Sequence, residues 1–249
     1  KENQYRAIKN WKLIADNVEI ILYGNSEGIE NAANELNVKI VKNIKSTKDG
    51  IPYFGSIVNH ASEFGIYDIQ IYLNCDILLG NIDHVINKVT FSKFLCIGQR
   101  IDLSSNFNID ISPSLLKFNL RSLYLKEKID LHKPTGIDYF IFKRSMWKNI
   151  GDIVIGRGGY DNALLRFCKL NHISIIDCTN MIVALHQFHD YNHVVGNKKS
   201  VFLGIDAKNN LIQAGKYSLL TITDSDYIFY NNKLIINKCR GDILRFLEL

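Results

Sequence analysis

The chain has 249 residues, with 30 Lys and Arg against 25 Asp and Glu, which gives a formal net charge of +5. A hydrophobic content of 47% and a charged content of 22% are those of a globular protein and exclude a disordered chain. No basic run interleaved with aromatic residues occurs, so no nucleic-acid partner is predicted. No apolar stretch reaches the roughly 18 residues that span a bilayer, so no transmembrane segment is predicted.

The cysteines indicate a reducing environment. Five are scattered along the chain, and no two form a Cys-x-x-Cys pair. This arrangement predicts free thiols rather than a zinc ribbon or a disulfide framework, and therefore a cytoplasmic protein.

The apolar pattern alternates between helix and strand periodicity. In chain order it predicts a first helix around Ile8, Trp11 and Ala15, then strand 18–22, helix 27–36, strand 38–41, helix 56–64 and strand 69–73. A polar, helical segment over 102–133 separates strands 94–98 and 137–142. Helix 161–170, strand 173–176, helix 207–214 and a hairpin joining 227–230 to 233–236 follow.

This order predicts an α/β fold with a mostly parallel central sheet flanked by helices, together with a small antiparallel element and a C-terminal hairpin. Residues 1–249 are expected to form one domain, with 215–249 as a C-terminal appendage.

Polar residues follow the predicted strand 69–73, where open α/β sheets bind ligands. Asn74 and Asp76 are two residues apart, so on an extended segment both side chains would face one target. Carboxylate and amide oxygens suit Mg²⁺ or Mn²⁺ bound to a diphosphate. A turn that closes the strand is the structural alternative.

Two further segments carry candidate ligands. His186 and His189 lie in a stretch with three histidines and an aspartate, which could hold a metal or phosphate oxygens, or could form a polar loop. Past strand 94–98, Arg100 could contact a phosphate and Asp102 a sugar hydroxyl, unless the two form a structural salt bridge.

A glycine-rich turn over 156–159 leads into the predicted helix that contains Asp161. The carboxylate could act as a general base at the rim of a cleft. It could instead cap the helix N-terminus, which is the interpretation that local pattern favours.

Taken in order, these segments resemble nucleotide-sugar glycosyltransferases with the GT-A fold. The resemblance covers the chain up to about Ala214 and rests on residues 7–11 (AIKNW), 19–24 (EIILYG), 50–52 (GIP), 72–76 (YLNCD), 98–103 (GQRIDL), 136–142 (GIDYFIF), 155–162 (IGRGGYDN) and 186–191 (HQFHDY).

The resemblance implies particular roles for the residues of this site. Asn74-Cys75-Asp76 stands at the Asp-x-Asp motif of the family, with Asn74 in place of the first acid and Asp76 as the main metal ligand. His186 or His189 would complete a Mn²⁺ or Mg²⁺ site, and Asp161 would be the general base of an inverting enzyme. Sugar contacts are implied for Arg100 and Asp138, and Asp102 and the Gly159-Tyr160 pair are expected to line the substrate site.

The resemblance further implies transfer of a sugar from a nucleotide-diphosphate sugar, with a UDP-sugar favoured, to the hydroxyl of a glycan or another acceptor. The family's first strand, which grips the nucleotide base, is not among the predicted elements. Either that strand is expected upstream of Lys1, or the chain is expected to be one segment of a longer protein. A sugar nucleotidyltransferase is one alternative function. A non-catalytic carbohydrate-binding module is another, because Asn74 replaces an acid.

Overall fold

The computed structural model describes residues 2–103, 131–188 and 197–238. In these ranges the helices are α1 (Glu2–Trp11), α2 (Ile29–Leu36), α3 (Phe54–Phe64), α4 (Asp83–Ile86), α5 (Tyr160–Leu170), α6 (Asn197–Leu203) and α7 (Ile205–Ala214). The strands are β1 (Ile21–Tyr23), β2 (Lys39–Val41), β3 (Ile69–Leu73), β4 (Ile77–Gly80), β5 (Phe94–Ile97), β6 (Ile101–Asp102), β7 (Tyr139–Lys143), β8 (Ser174–Asp177), β9 (Val183–His186), β10 (Tyr227–Tyr230) and β11 (Lys233–Ile236).

A mixed six-stranded sheet forms the centre, in the order β11-β10-β8-β5-β7-β3. Strands β5, β8 and β10 are parallel neighbours, and β3 runs in the same direction because β3 and β5 are each antiparallel to β7. The expected α/β class is therefore confirmed, but the prediction of a mostly parallel sheet is wrong. The sheet is mixed, since β7 and β11 run against the other four strands and three of its five neighbouring pairs are antiparallel. Strands β3 and β5 both end at the edge of the sheet where β7 begins.

A smaller three-stranded sheet, β4-β9-β6, lies next to this edge. Strand β9 is antiparallel to β4 and parallel to β6. In this register His186 is opposite Ile77 on one side and Asp102 on the other. The three short strands thus place Asp76, Asp102 and His186 next to one another.

The core is built from continuous apolar runs, as expected for strands covered on both faces. All four residues of β4 and of β5 are buried, and so are the first four of β7. Around β7 the rings of Phe54, Phe142 and Trp147 pack edge to face, with centroids 5.2–6.4 Å apart. This packing holds α3 and Trp147 against β7.

Several elements agree with the sequence, and some differ. Strand β3 and the hairpin β10–β11 have the predicted bounds, and the hairpin turn has Asn231 and Asn232 at φ 47° and 61°. Strands β4, β6 and β9 were not predicted because they are short and have no polar alternation. The predicted helix over 102–133 lies mostly outside the described residues, but Asp102 is in β6 and Leu131 bridges to Ile101.

The C-terminal hairpin of β10 and β11 is part of the main sheet. Strand β10 pairs in parallel with β8, and Phe229 is buried. Leu220 and Ile222 pack in the same core as Phe140. The expected appendage is therefore an integral edge of the sheet over this range.

An apolar groove of about 610 Å³ separates β1 from β3. Strand β1 pairs with β2 and β3 pairs with β7, and no described strand pairs with their other edges. Every side chain of β3 is only half-buried, in contrast to β5 and β7. Over the described part of the chain, no helix has the length and apolar character needed to cross a membrane.

Candidate functional site

The polar residues converge where β3 and β5 end. After Leu73 the backbone turns, and the amide of Ile77 bonds the carbonyl of Asn74 (3.2 Å). The side chain of Asn74 donates from Nδ2 to Oδ1 of Asp138 (2.7 Å). The sequence analysis predicted that Asn74 and Asp76 would face one target on an extended segment. That prediction is wrong, because the segment is a turn and the two side chains have different partners.

Asp76 instead faces His186. Oδ2 of Asp76 lies 3.4 Å from Nε2 of His186, and Nδ1 of the same ring lies 3.2 Å from Oδ1 of Asp102. The backbone fixes these positions, since Leu103 donates to the carbonyl of His186 and Gln187 donates to that of Asp76. The structure therefore brings together two of the predicted metal ligands, and His189 lies outside the described residues.

Arg100 connects this group to the rest of the site. Its Nε donates to Oδ1 of Asp102 (2.8 Å), and its Nη1 donates to Oδ2 of Asp138. Burial lowers the pKa of Arg100, but the two carboxylates outweigh it and hold the pKa above its usual value. The salt bridge weighed from the sequence is present, with Asp138 as a second partner.

His132 is a member of the site that the sequence did not reveal. Its Nδ1 lies 2.6 Å from Oδ2 of Asp102, and Gln99 donates to its backbone carbonyl (2.6 Å). A Cβ on Gly136 would lie 2.8–2.9 Å from the His132 ring, so any larger residue at position 136 would displace this ring. No motif in the sequence marks His132, because its place in the site depends on its contact with Asp102.

Burial and hydrogen bonding oppose each other at Asp102. Burial raises its pKa, whereas hydrogen bonds from Arg100 and His132 lower it, and the net pKa lies below the usual value. The Arg100 guanidinium and the hydrogen bond from His132 therefore favour the ionised form of Asp102.

Asp161 lies at the second position of α5, where its environment is different. The helix begins at Tyr160 with Gly159 as the N-cap, so the prediction that Asp161 caps the helix is wrong. Its Oδ1 accepts the amide of Asn162 (2.9 Å). Burial raises the pKa of Asp161 to about 6, and the charge of Asp138 acts in the same direction.

The two residues before Asp161 have structural contacts. Tyr160 is buried and donates from its hydroxyl to the carbonyl of Ile137 (2.9 Å), next to Asp138. Gly159 has φ 79°, and a Cβ there would lie 2.8–3.1 Å from Leu211 of α7. These contacts position the start of α5 beside the Arg100 network.

The chemistry of Asp76 and His186 fits a divalent cation. Two ligands at about 2.1 Å and at right angles around an octahedral ion are about 3 Å apart, close to the observed 3.4 Å. Within residues 2–103, 131–188 and 197–238, no group of three or more acidic, cysteine or histidine side chains forms a complete site. Mg²⁺ and Mn²⁺ commonly take their remaining ligands from water and substrate phosphates, so two protein ligands are compatible with this class of site.

A scan against protein-family models and a search of curated proteins each find no match to this chain. The resemblance to glycosyltransferases accordingly remains an expectation.

Proposed function

We propose that this chain is a GT-A-type glycosyltransferase that moves a sugar, with inversion, from a nucleotide-diphosphate sugar to an acceptor hydroxyl. A UDP-sugar is the favoured donor. The proposal assigns the general base to Asp161 and the metal-binding pair to Asp76 and His186.

The observation that carries the proposal is the contrast among the site's carboxylates. Asp161 is partly buried beside another acid and has a pKa of about 6, whereas Asp102 is held ionised by Arg100. A base with a pKa near the working pH transfers protons effectively, and active sites commonly separate the pKa values of neighbouring acids in this way.

In the proposed reaction Asp161 accepts the proton of the acceptor hydroxyl as the hydroxyl oxygen attacks the anomeric carbon. The new carbon–oxygen bond forms as the bond to the nucleoside diphosphate breaks, and Asp161 later releases its proton to solvent. The backbone amide of Asn162 orients the carboxylate through Oδ1. The bond from Tyr160 to Ile137 holds the first turn of α5 in place.

Asp76 and His186 would hold Mn²⁺ or Mg²⁺. A bound cation supplies charge neutralisation for the departing diphosphate. The side chain of Arg100 is already paired with two carboxylates, so it contributes structure to this region more than free positive charge.

The first test is thermal unfolding with UDP, GDP or dTDP, each with and without Mn²⁺. A ligand at 100 times its Kd adds about 2.7 kcal/mol, which in a protein of this size raises the midpoint by about 5–10 °C. We expect one nucleotide to produce this rise only with Mn²⁺, and we expect Asp76→Ala to remove it.

Donor turnover then separates an enzyme from a binding module. Release of nucleoside diphosphate from the matching nucleotide sugar should depend on Mn²⁺ and on Asp161. Metal-dependent binding without any turnover would favour the binding module. The absence of a midpoint shift with every nucleotide would contradict the proposed function.

A further inference from the structure

The register of the three-stranded sheet places Asp102 directly behind His186. The two residues are Cα partners in the parallel pair β6–β9, and the antiparallel pair β4–β9 puts Asp76 just beyond the other side of His186. The imidazole therefore lies between two carboxylates that come from different strands.

The two carboxylates contact different nitrogens of the ring. Asp102 lies 3.2 Å from Nδ1, and Asp76 lies 3.4 Å from Nε2. A neutral imidazole carries one proton, and an acceptor at Nδ1 selects the tautomer whose Nε2 lone pair is available to a metal. Metal-binding histidines in proteins commonly have such a carboxylate at the nitrogen that does not bind the ion.

Asp102 is itself held more firmly than a surface carboxylate. Arg100 binds Oδ1 at 2.8 Å, and His132 contacts Oδ2 at 2.6 Å. Arg100 is anchored in turn by the largely buried Asp138. The carboxylate thus has a fixed orientation towards the ring of His186.

We propose that Asp102 is a positioning residue, whose carboxylate holds Nδ1 of His186 so that Nε2 and Asp76 bind one divalent cation. This role differs from the sugar contact implied by the sequence. It rests on the metal-binding pair of the proposed function, but it concerns the affinity of the protein for the ion alone.

The test measures binding of Mn²⁺ without nucleotide, by electron paramagnetic resonance of the free ion. We expect Asp102→Ala to weaken binding 10–100-fold, the usual effect of losing such a partner. Asp102→Asn retains an acceptor oxygen for Nδ1, so it should weaken Mn²⁺ binding less than Asp102→Ala does. The matched control is Asp152→Asn, another half-exposed carboxylate in a salt bridge, and it should leave binding unchanged.

A double-mutant cycle separates positioning from simple charge. If Asp102 acts through the imidazole, Asp102→Ala should have no further effect on Mn²⁺ affinity once His186→Ala is present. An equal loss in both backgrounds would show that Asp102 acts only by its charge and would overturn the proposal. Unchanged binding in Asp102→Ala would also overturn it.

The same measurements distinguish failure of this proposal from failure of the proposed function. If Asp76→Ala and His186→Ala each weaken Mn²⁺ binding while Asp102→Ala does not, the metal pair stands and only the positioning role is wrong. If neither substitution changes Mn²⁺ binding, the metal pair is wrong and the positioning proposal falls with it. Circular dichroism checks that each variant is folded. If Asp102→Ala does not fold, Asp102→Asn replaces it in the binding measurements.

Discussion

Asp161 and Asp102 are two carboxylates of one site with opposite electrostatics. Asp161 lies at the start of α5, where burial and the nearby charge of Asp138 raise its pKa. Hydrogen bonds from backbone amides lower the pKa, but the net value is about 6. Asp102 is bonded to Arg100 and His132, and its pKa falls below the usual value. The difference shows that the neighbouring groups, and not the residue type, decide which acid can take up a proton near neutral pH.

The two carboxylates also differ in what they do for the fold. Ionising Asp161 costs free energy in the native state, so this residue lowers stability at neutral pH. Ionised Asp102 makes favourable contacts, so it raises stability. Active sites often contain groups that are unfavourable for stability and useful for function.

The largest effect is expected for Asp161→Asn. The oxygen of the new side-chain amide can still accept the hydrogen bond from the backbone N–H of Asn162, but this side chain cannot take up the hydroxyl proton. The rate of sugar transfer should therefore fall by about 10²–10⁴-fold, while nucleotide binding survives. Single-turnover assays and nucleotide titrations measure the two quantities. Asp206→Asn, a change at the corresponding first turn of α7, is the control. Full activity in Asp161→Asn would remove Asp161 from the role of base.

The same residue predicts a pH dependence of folding. Since the folded pKa is raised, the native state binds more protons than the unfolded state between about pH 4 and 6, and stability falls as pH rises through this window. Moving the pKa from 3.8 to about 6 corresponds to about 3 kcal/mol. Urea unfolding from pH 3.5 to 7.5 should show Asp161→Asn gaining stability over the wild type across the window. A constant difference would contradict the raised pKa.

A smaller effect is expected for Asn74→Asp, which creates the acid of the Asp-x-Asp motif. The new carboxylate would face Oδ1 of Asp138 at the 2.7 Å contact where Asn74 now donates a hydrogen bond. We expect a loss of about 1–3 kcal/mol at pH 7, which shrinks in acid as one carboxyl is protonated. Denaturation midpoints at pH 5 and 7 test this, with exposed Asn209→Asp as the control. Equal stability at pH 7 would mean that the Asn74–Asp138 bond contributes little.

The smallest effect is expected for the stability of Asp102→Asn. The contribution of Asp102 is present above about pH 4 and is lost as pH falls through its lowered folded pKa. Its side chain is 45% exposed, so screening by solvent limits the contribution to less than about 1 kcal/mol. The stability difference from the wild type, measured in urea, should disappear at low pH. A difference that grows in acid would reverse the assigned sign.

Much of the fold could be predicted because periodicity reports burial. Strand β3 and the β10–β11 hairpin have the bounds that their apolar runs and the Asn231-Asn232 turn indicate. The short strands β4, β6 and β9 carry no such signal, since pairing with a neighbour defines a strand of two to four residues. The position of β10 in the main sheet is likewise a long-range pairing that a local pattern does not encode.

The sequence by itself determined the α/β class and most residues of the site, because apolar runs followed by polar residues mark the ends of strands. Only the tertiary structure decided the partners of those residues. It turned Asn74 towards Asp138 and Asp76 towards His186, and it brought His132 to Asp102. It also gave Asp161 and Asp102 opposite pKa shifts, because desolvation and neighbouring charges depend on which elements meet in space.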